Sequence, residues 1–162
     1  MYSNRSAKEL VLALINSAGF VDSNQLEENV CLLIYEPDIN IVISWSKYTI
    51  KLSCAIGKVV NSSKYQELIT KVLEDNRQAC SKTAYQYSLD SKNQQLILSV
   101  ILPAELFEPD SFIDYFNNFK QDLEVWMEHL DNEKFYMPNL KQHIWPPVKT
   151  GQKLKTRPQN LA

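Results

Sequence analysis

Glycine, histidine and cysteine are scarce in this 162-residue chain, at 3, 2 and 3 copies. Gly19, Gly57 and Gly151 stand far apart. A phosphate-cradling loop needs several glycines within one turn, so that the backbone can approach the anion, and none can be built here. Two histidines, His129 and His143, cannot supply a multi-histidine metal centre. Cys31, Cys54 and Cys80 are odd in number and contain no Cys-x-x-Cys pair. That spacing suits reduced thiols in a cytosol better than a disulfide framework. The apolar stretch near the N-terminus, Leu10 to Ile15, is too brief for a signal-peptide core or a bilayer span. The Asn-x-Ser triplets at Asn4 and Asn61 are therefore read as chance, and the chain as cytoplasmic and not inserted in a membrane.

What is present is a globular composition, 44% hydrophobic and 22% charged, enough for one packed core. Charge is divided unevenly. Residues 1–130 hold 11 Lys/Arg against 17 Asp/Glu, a balance of −6, and residues 131–162 hold 6 against 2, a balance of +4. Pro138, Pro146, Pro147, Pro158 and Gly151 interrupt regular structure in the second segment. The expectation is a folded domain over 1–130, with its first element from about residue 5, and a basic, extended tail over 131–162. Ile144 and Trp145 suit the tail to docking on an acidic partner.

Within the domain, Leu10, Val11, Leu14, Ile15 and Ala18 form the stripe of a helix over about 5–18. Ser3, Asn4 or Ser6 can cap its start and Gly19 its end. Cys31–Tyr35 is a short apolar run closed by Glu36-Pro37-Asp38. Ile39, Ile41, Ile43 and Trp45, then Ile50, Leu52, Cys54 and Ile56, each recur at every second position. That period, with short turns, predicts three antiparallel strands in a meander. Tyr65, Leu68, Ile69, Val72 and Leu73 have helical spacing up to about Asn76. Strands follow at 84–89 and 95–102, turning at Asp90–Asn93. A last helix over about 110–130 carries Phe112, Ile113, Phe116, Phe119, Leu123, Trp126, Met127 and Leu130. The fold class is α+β, an antiparallel sheet with helices in the order α-β-β-β-α-β-β-α.

Chemistry is hard to find. No His-Glu-x-x-His, EF-hand, nucleophile elbow or phosphate loop occurs. Asp122 and His129 on the last helix are a conceivable base pair, but an exposed histidine complementing the helix dipole is the plainer reading. Glu105, Glu108, Asp110 and Asp114 complement that helix's N-terminus. Cys54, on the apolar side of its strand, reads as a structural thiol. The chain is expected to be no enzyme, with no metal and no cofactor. Its acidic domain also argues against nucleic acid, since only Lys141, Lys149, Lys153, Lys155 and Arg157 of the tail are placed for phosphate. A single-layer sheet with three helices is expected to leave part of Cys31, Ile39, Ile41, Val42, Ile43, Trp45, Ile50, Leu52, Phe112, Phe116, Phe119 and Trp126 uncovered. Dimerisation or another chain would then hide the excess.

The element order, the acidic domain and the run Leu96-Ile97-Leu98-Ser99-Val100-Ile101-Leu102-Pro103 before a long last helix carrying Trp126 resemble the class I type III secretion chaperones, the Tir-chaperone-like family. The opening helix with Leu10, Leu14 and Ile15 before Gly19 also suits that family. The resemblance spans roughly residues 6–130. It implies a bacterial cytoplasmic homodimer that binds the N-terminal region of secreted effectors, keeps it secretion-competent and presents it to the export apparatus. By position it assigns Leu10, Leu14, Leu32, Ile34, Ile41, Ile43 and Trp45 to groove and core together. Tyr65, Leu68, Ile69, Val72, Tyr85 and Tyr87 are assigned to the dimer contact. Two departures stand out: the long basic tail, which raises the export ATPase or a second cargo as an additional partner, and a Tyr35–Asp38 turn lacking glycine. The alternative reading is a YbjN-like regulatory or stress adaptor of the same fold that binds a folded partner.

Overall fold

The first helix, α1 (Ala7–Ala18), begins where Ser6 and Glu9 cap each other reciprocally. The Glu9 amide donates to Ser6 Oγ at 3.4 Å, and the Ser6 amide donates to the Glu9 carboxylate at 3.0 Å. It ends at Gly19, whose φ of 73° is the left-handed conformation that lacks a Cβ penalty. The computed structural model describes residues 6–19, 29–35, 39–59, 63–78, 85–132 and 138. The Glu36–Asp38 turn and Cys80 lie outside them. So does the basic tail, apart from Asp131, Asn132 and a buried Pro138.

The strands are β1 (Val30–Tyr35), β2 (Ile39–Trp45), β3 (Thr49–Lys58), β4 (Tyr85–Asp90) and β5 (Gln95–Pro103). The remaining helices are α2 (Ser63–Gln78) and α3 (Pro109–Asp131). A short 3-10 turn over Ala104–Leu106, which periodicity does not reveal, joins β5 to α3. Pro109 opens α3, where its missing N–H costs nothing, and the Glu108 amide donates to Ser111 Oγ at 3.0 Å.

All pairings are antiparallel, in the order β1-β2-β3-β5-β4. Thus the meander continues not into β4 but into β5, the return arm of the second hairpin. The Asp90 carboxylate makes that hairpin turn by accepting from the amides of Lys92 and Asn93 and from Asn93 Nδ2.

Alternation puts one residue in two on the inner side of the sheet, under α1 and α3. One inner row runs Cys31, Ile43, Leu52, Val100, Tyr85 across all five strands, and every member is buried. Above it lie Leu10, Val11 and Leu14 of α1 and Phe112, Phe116, Phe119, Leu123 and Trp126 of α3. The end of α3 comes down on a bulge in β3 between Ala55 and Gly57. A Cβ at Gly57 would stand 2.6 Å from Leu130 Cδ1, so glycine admits the helix there.

This packing corrects one expectation. Cys31, Ile39, Ile41, Ile43, Trp45, Ile50, Leu52, Phe112, Phe116, Phe119 and Trp126 are all buried within one chain, and of the twelve residues expected to be partly uncovered only Val42 is exposed. Two helices laid side by side on one face cover more of a twisted sheet than a count of elements suggests. Apolar surface does remain, but on the other face.

Candidate functional site

The outer face of the sheet carries the residues of opposite parity. At its β1–β2 end these are Val30 (41% exposed), Leu32 (41%), Ile34 (60%) and Val42 (37%). The register sets Leu32 directly beside Val42. Continuing that row across the sheet gives Ser53, Ser99 and Gln86, so the outer face grades from apolar at β1 to polar at β4. In the next row, Val30, Ser44 and Lys51 lead to the half-exposed Ile101. Exposed β-branched and leucine side chains in adjacent register form a patch rather than isolated exceptions, and such patches mark binding surfaces.

Of the seven residues assigned to groove and core, the structure places Leu10, Leu14, Ile41, Ile43 and Trp45 in the core and only Leu32 and Ile34 on the surface. Val30 belongs beside them. The signal for it is parity: once Cys31 and Leu33 face inward, residues 30, 32 and 34 cannot.

At the opposite end of the sheet, α2 packs against β4. Leu68 and Val72, together with Tyr85 and Tyr87, are buried within the chain itself. Tyr65 and Ile69 are half-buried, and Leu73 (58%) and Leu89 (50%) are exposed alongside. Asn76, four residues after Val72, lies on the same helical stripe. Its side-chain amide donates to the Tyr87 carbonyl and accepts from the Tyr87 amide, both at 2.7 Å. A polar residue on an otherwise apolar stripe marks a group in need of a partner, but its spacing does not say which one.

The groups considered for chemistry sit in the core. Tyr85 Oη donates to Asp122 Oδ2 at 2.6 Å, and Asp122 is buried. Burial, then the neighbouring Asp122 carboxylate, raises the Tyr85 hydroxyl far above its usual range and raises Tyr115 in the same way. His129 is not the exposed helix-end residue expected. It is buried, with its ring edge-on to Trp126 at 6.3 Å, because α3 keeps this face against the sheet through its last turn. The Cys54 thiol is pushed up to about 11 by burial, slightly countered by a backbone contact at Asn40, so the nucleophilic thiolate is disfavoured. Among the described residues no three His, Cys, Asp or Glu side chains are placed to hold a metal. Nor is any described helix long and apolar enough to cross a membrane.

A profile of the Tir chaperone protein (CesT) family matches residues 9–127. The chain belongs to the Tir chaperone family. The likeness drawn from the Leu-Pro step and the Trp-bearing last helix is thereby borne out. The fold of this family member is also shared by solved structures at low identity. A chain of the ExsC–ExsE complex superposes with a TM-score of 0.63 at 13% identity, covering 79% of this chain and 96% of that one. A chain of the HopA1–SchA chaperone–effector complex gives 0.58 at 12%, covering 75% and 92%. YbjN from E. coli gives 0.52 at 13%, covering 80% and 97%. No curated protein is matched in sequence.

Proposed function

We propose that this Tir chaperone family member is a cytoplasmic type III secretion chaperone. In this reading it binds the N-terminal region of secreted effectors, keeps that region soluble and secretion-competent, and hands it to the export apparatus. It performs no catalysis and needs no cofactor. The observation that carries the reading is the exposed apolar patch of Val30, Leu32, Ile34 and Val42 on the side of the sheet opposite the packed core. An unfolded segment can lay alternate apolar side chains on such a patch, and the cost of ordering it is offset by the area it wraps. The HopA1–SchA structure, a chaperone–effector complex of like fold, supports this reading.

The working unit would be a homodimer joined through α2 and β4, with Tyr65 and Ile69 at the contact and the exposed Leu73 and Leu89 beside them. Leu68, Val72, Tyr85 and Tyr87 would act there as the packed layer beneath. The basic segment after residue 131 would add an acidic partner surface, such as that of the export ATPase.

Native mass spectrometry of the tagged protein recovered from its own host tests the proposal. Two copies of the chain with one copy of a larger secreted protein, held through that protein's N-terminal segment, is the expected result. A second reading, an adaptor that holds a folded partner, draws on the fold shared with YbjN. Recovery of folded cytosolic proteins alone would favour it.

A further inference from the structure

We infer that Asn76 closes the β4 edge of the sheet to strand addition, so that a second copy meeting this end of the molecule does so through side chains and not by extending the sheet. The inference bears on the proposed dimer but does not require it. In an antiparallel ladder the N–H and C=O of one residue point to the same side, and successive residues alternate between the paired neighbour and the outer edge. Both backbone groups of Tyr87 reach the Asn76 side chain at 2.7 Å. Tyr87 therefore faces outward, with Tyr85 and Leu89 the other outward positions of this six-residue strand. An incoming strand would need all three in succession. With the middle one occupied, no two adjacent outward residues are left to pair among the described residues of β4.

The side-chain amide has one donor and one acceptor group, so it reproduces what a neighbouring strand would offer at that residue. α2 holds it in place through Val72 and Leu68, one and two turns earlier on the same face, both buried to within 1%. Natural sheets commonly protect such edges, because an open one templates pairing with further chains. A chain that carries an apolar outer patch and is read as a binder of extended polypeptide has particular need of a closed edge. Otherwise cargo or a second copy could pair at the wrong end of the sheet.

The test uses the full chain and three forms: wild type, Asn76→Ala, and Asn76→Ala combined with Gln86→Lys. Gln86 is exposed on β4, where a lysine discourages strand pairing. Two quantities are read, amide hydrogen exchange at Tyr87 and mass by light scattering over a hundredfold concentration range. Wild type should protect the Tyr87 amide and hold one mass. Asn76→Ala should exchange that amide roughly tenfold faster, in keeping with one lost hydrogen bond. Its mass should climb with concentration, and the added lysine should bring it back. An unprotected Tyr87 amide in the wild type would overturn the inference, even if the variants fail to fold. So would an Asn76→Ala protein that folds and keeps the wild-type mass. A wild type that is monomeric at every concentration would instead sink the dimer reading, since edge closure is read from the difference between variants.

Discussion

The two faces of the sheet are built from the same alternating strands and end in opposite roles. On the inner face, the row Cys31, Ile43, Leu52, Val100, Tyr85 is buried from one edge to the other. On the outer face, the row Leu32, Val42, Ser53, Ser99, Gln86 changes from apolar to polar along its length. Both helices that run over the sheet, α1 and α3, lie on the inner side, so the apolar end of the outer row stays in water. Valine and leucine there are chemically no different from those inside. Their role follows from the side on which the helices settle.

The comparison breaks most visibly at Trp126, which is fully buried and stacked edge-on against Tyr87 at 5.5 Å. Trp126→Ala should cost about 3–5 kcal/mol, the usual penalty for emptying an aromatic site in a core, read as a shift in the urea midpoint. Tyr85→Phe removes the donor to a buried carboxylate while keeping the ring that packs on Phe119. The same unfolding series should show a loss of about 1–3 kcal/mol.

Alkaline pH sharpens the contrast from the inner side. Cys54 sits at about 11 in the folded chain against an ordinary 9.0, and Tyr85 and Tyr115 are raised as well. The unfolded chain therefore releases these protons first. Stability from these groups is complete below pH 9 and declines as pH rises toward 11, with the tyrosines adding to the loss at still higher pH. Urea midpoints at pH 8 and pH 10.5 should differ in that direction. Thiol reagent at pH 8 should leave Cys54 unmodified until the protein is unfolded.

The smallest change in stability belongs to the outer face. Leu32→Ser and Ile34→Ser should each move it by no more than about 0.5 kcal/mol, as surface substitutions do. The double variant should nevertheless lose at least about tenfold in affinity for the effector segment, measured by titration calorimetry. A core-sized loss of stability from either serine would show that this face is covered within the chain. Unchanged affinity would move the binding site elsewhere.

Much of this architecture was legible in the residues. The period-two runs Ile39–Trp45 and Ile50–Ile56 placed β2 and β3, and the stripe from Phe112 to Leu130 placed α3, because each pattern matches only one backbone period. The order of strands in space was not legible. Every strand here is apolar enough to neighbour any other, and the insertion of β5 between β3 and β4 depends on which arm of the second hairpin meets the sheet. The seven residues assigned to groove and core were unresolved for a related reason. Hydrophobicity reports that a side chain will leave water, but not which neighbour it will meet.

Composition and spacing by themselves determined the α+β class and excluded a glycine-rich phosphate loop or a multi-histidine metal centre, while the Leu102-Pro103 step before a Trp-bearing helix carried the resemblance to a chaperone family. Those properties depend on residue type and local period. Tertiary structure alone decided that Ile41 and Ile43 are core while Ile34 is surface, that His129 is buried, and that Asn76 reaches across to Tyr87. These depend on which side of the sheet the helices pack and on how far apart in sequence two contacting groups lie. Local chemistry does not encode a contact with a partner eleven residues away, as between Asn76 and Tyr87, until the hairpin and helix have folded together.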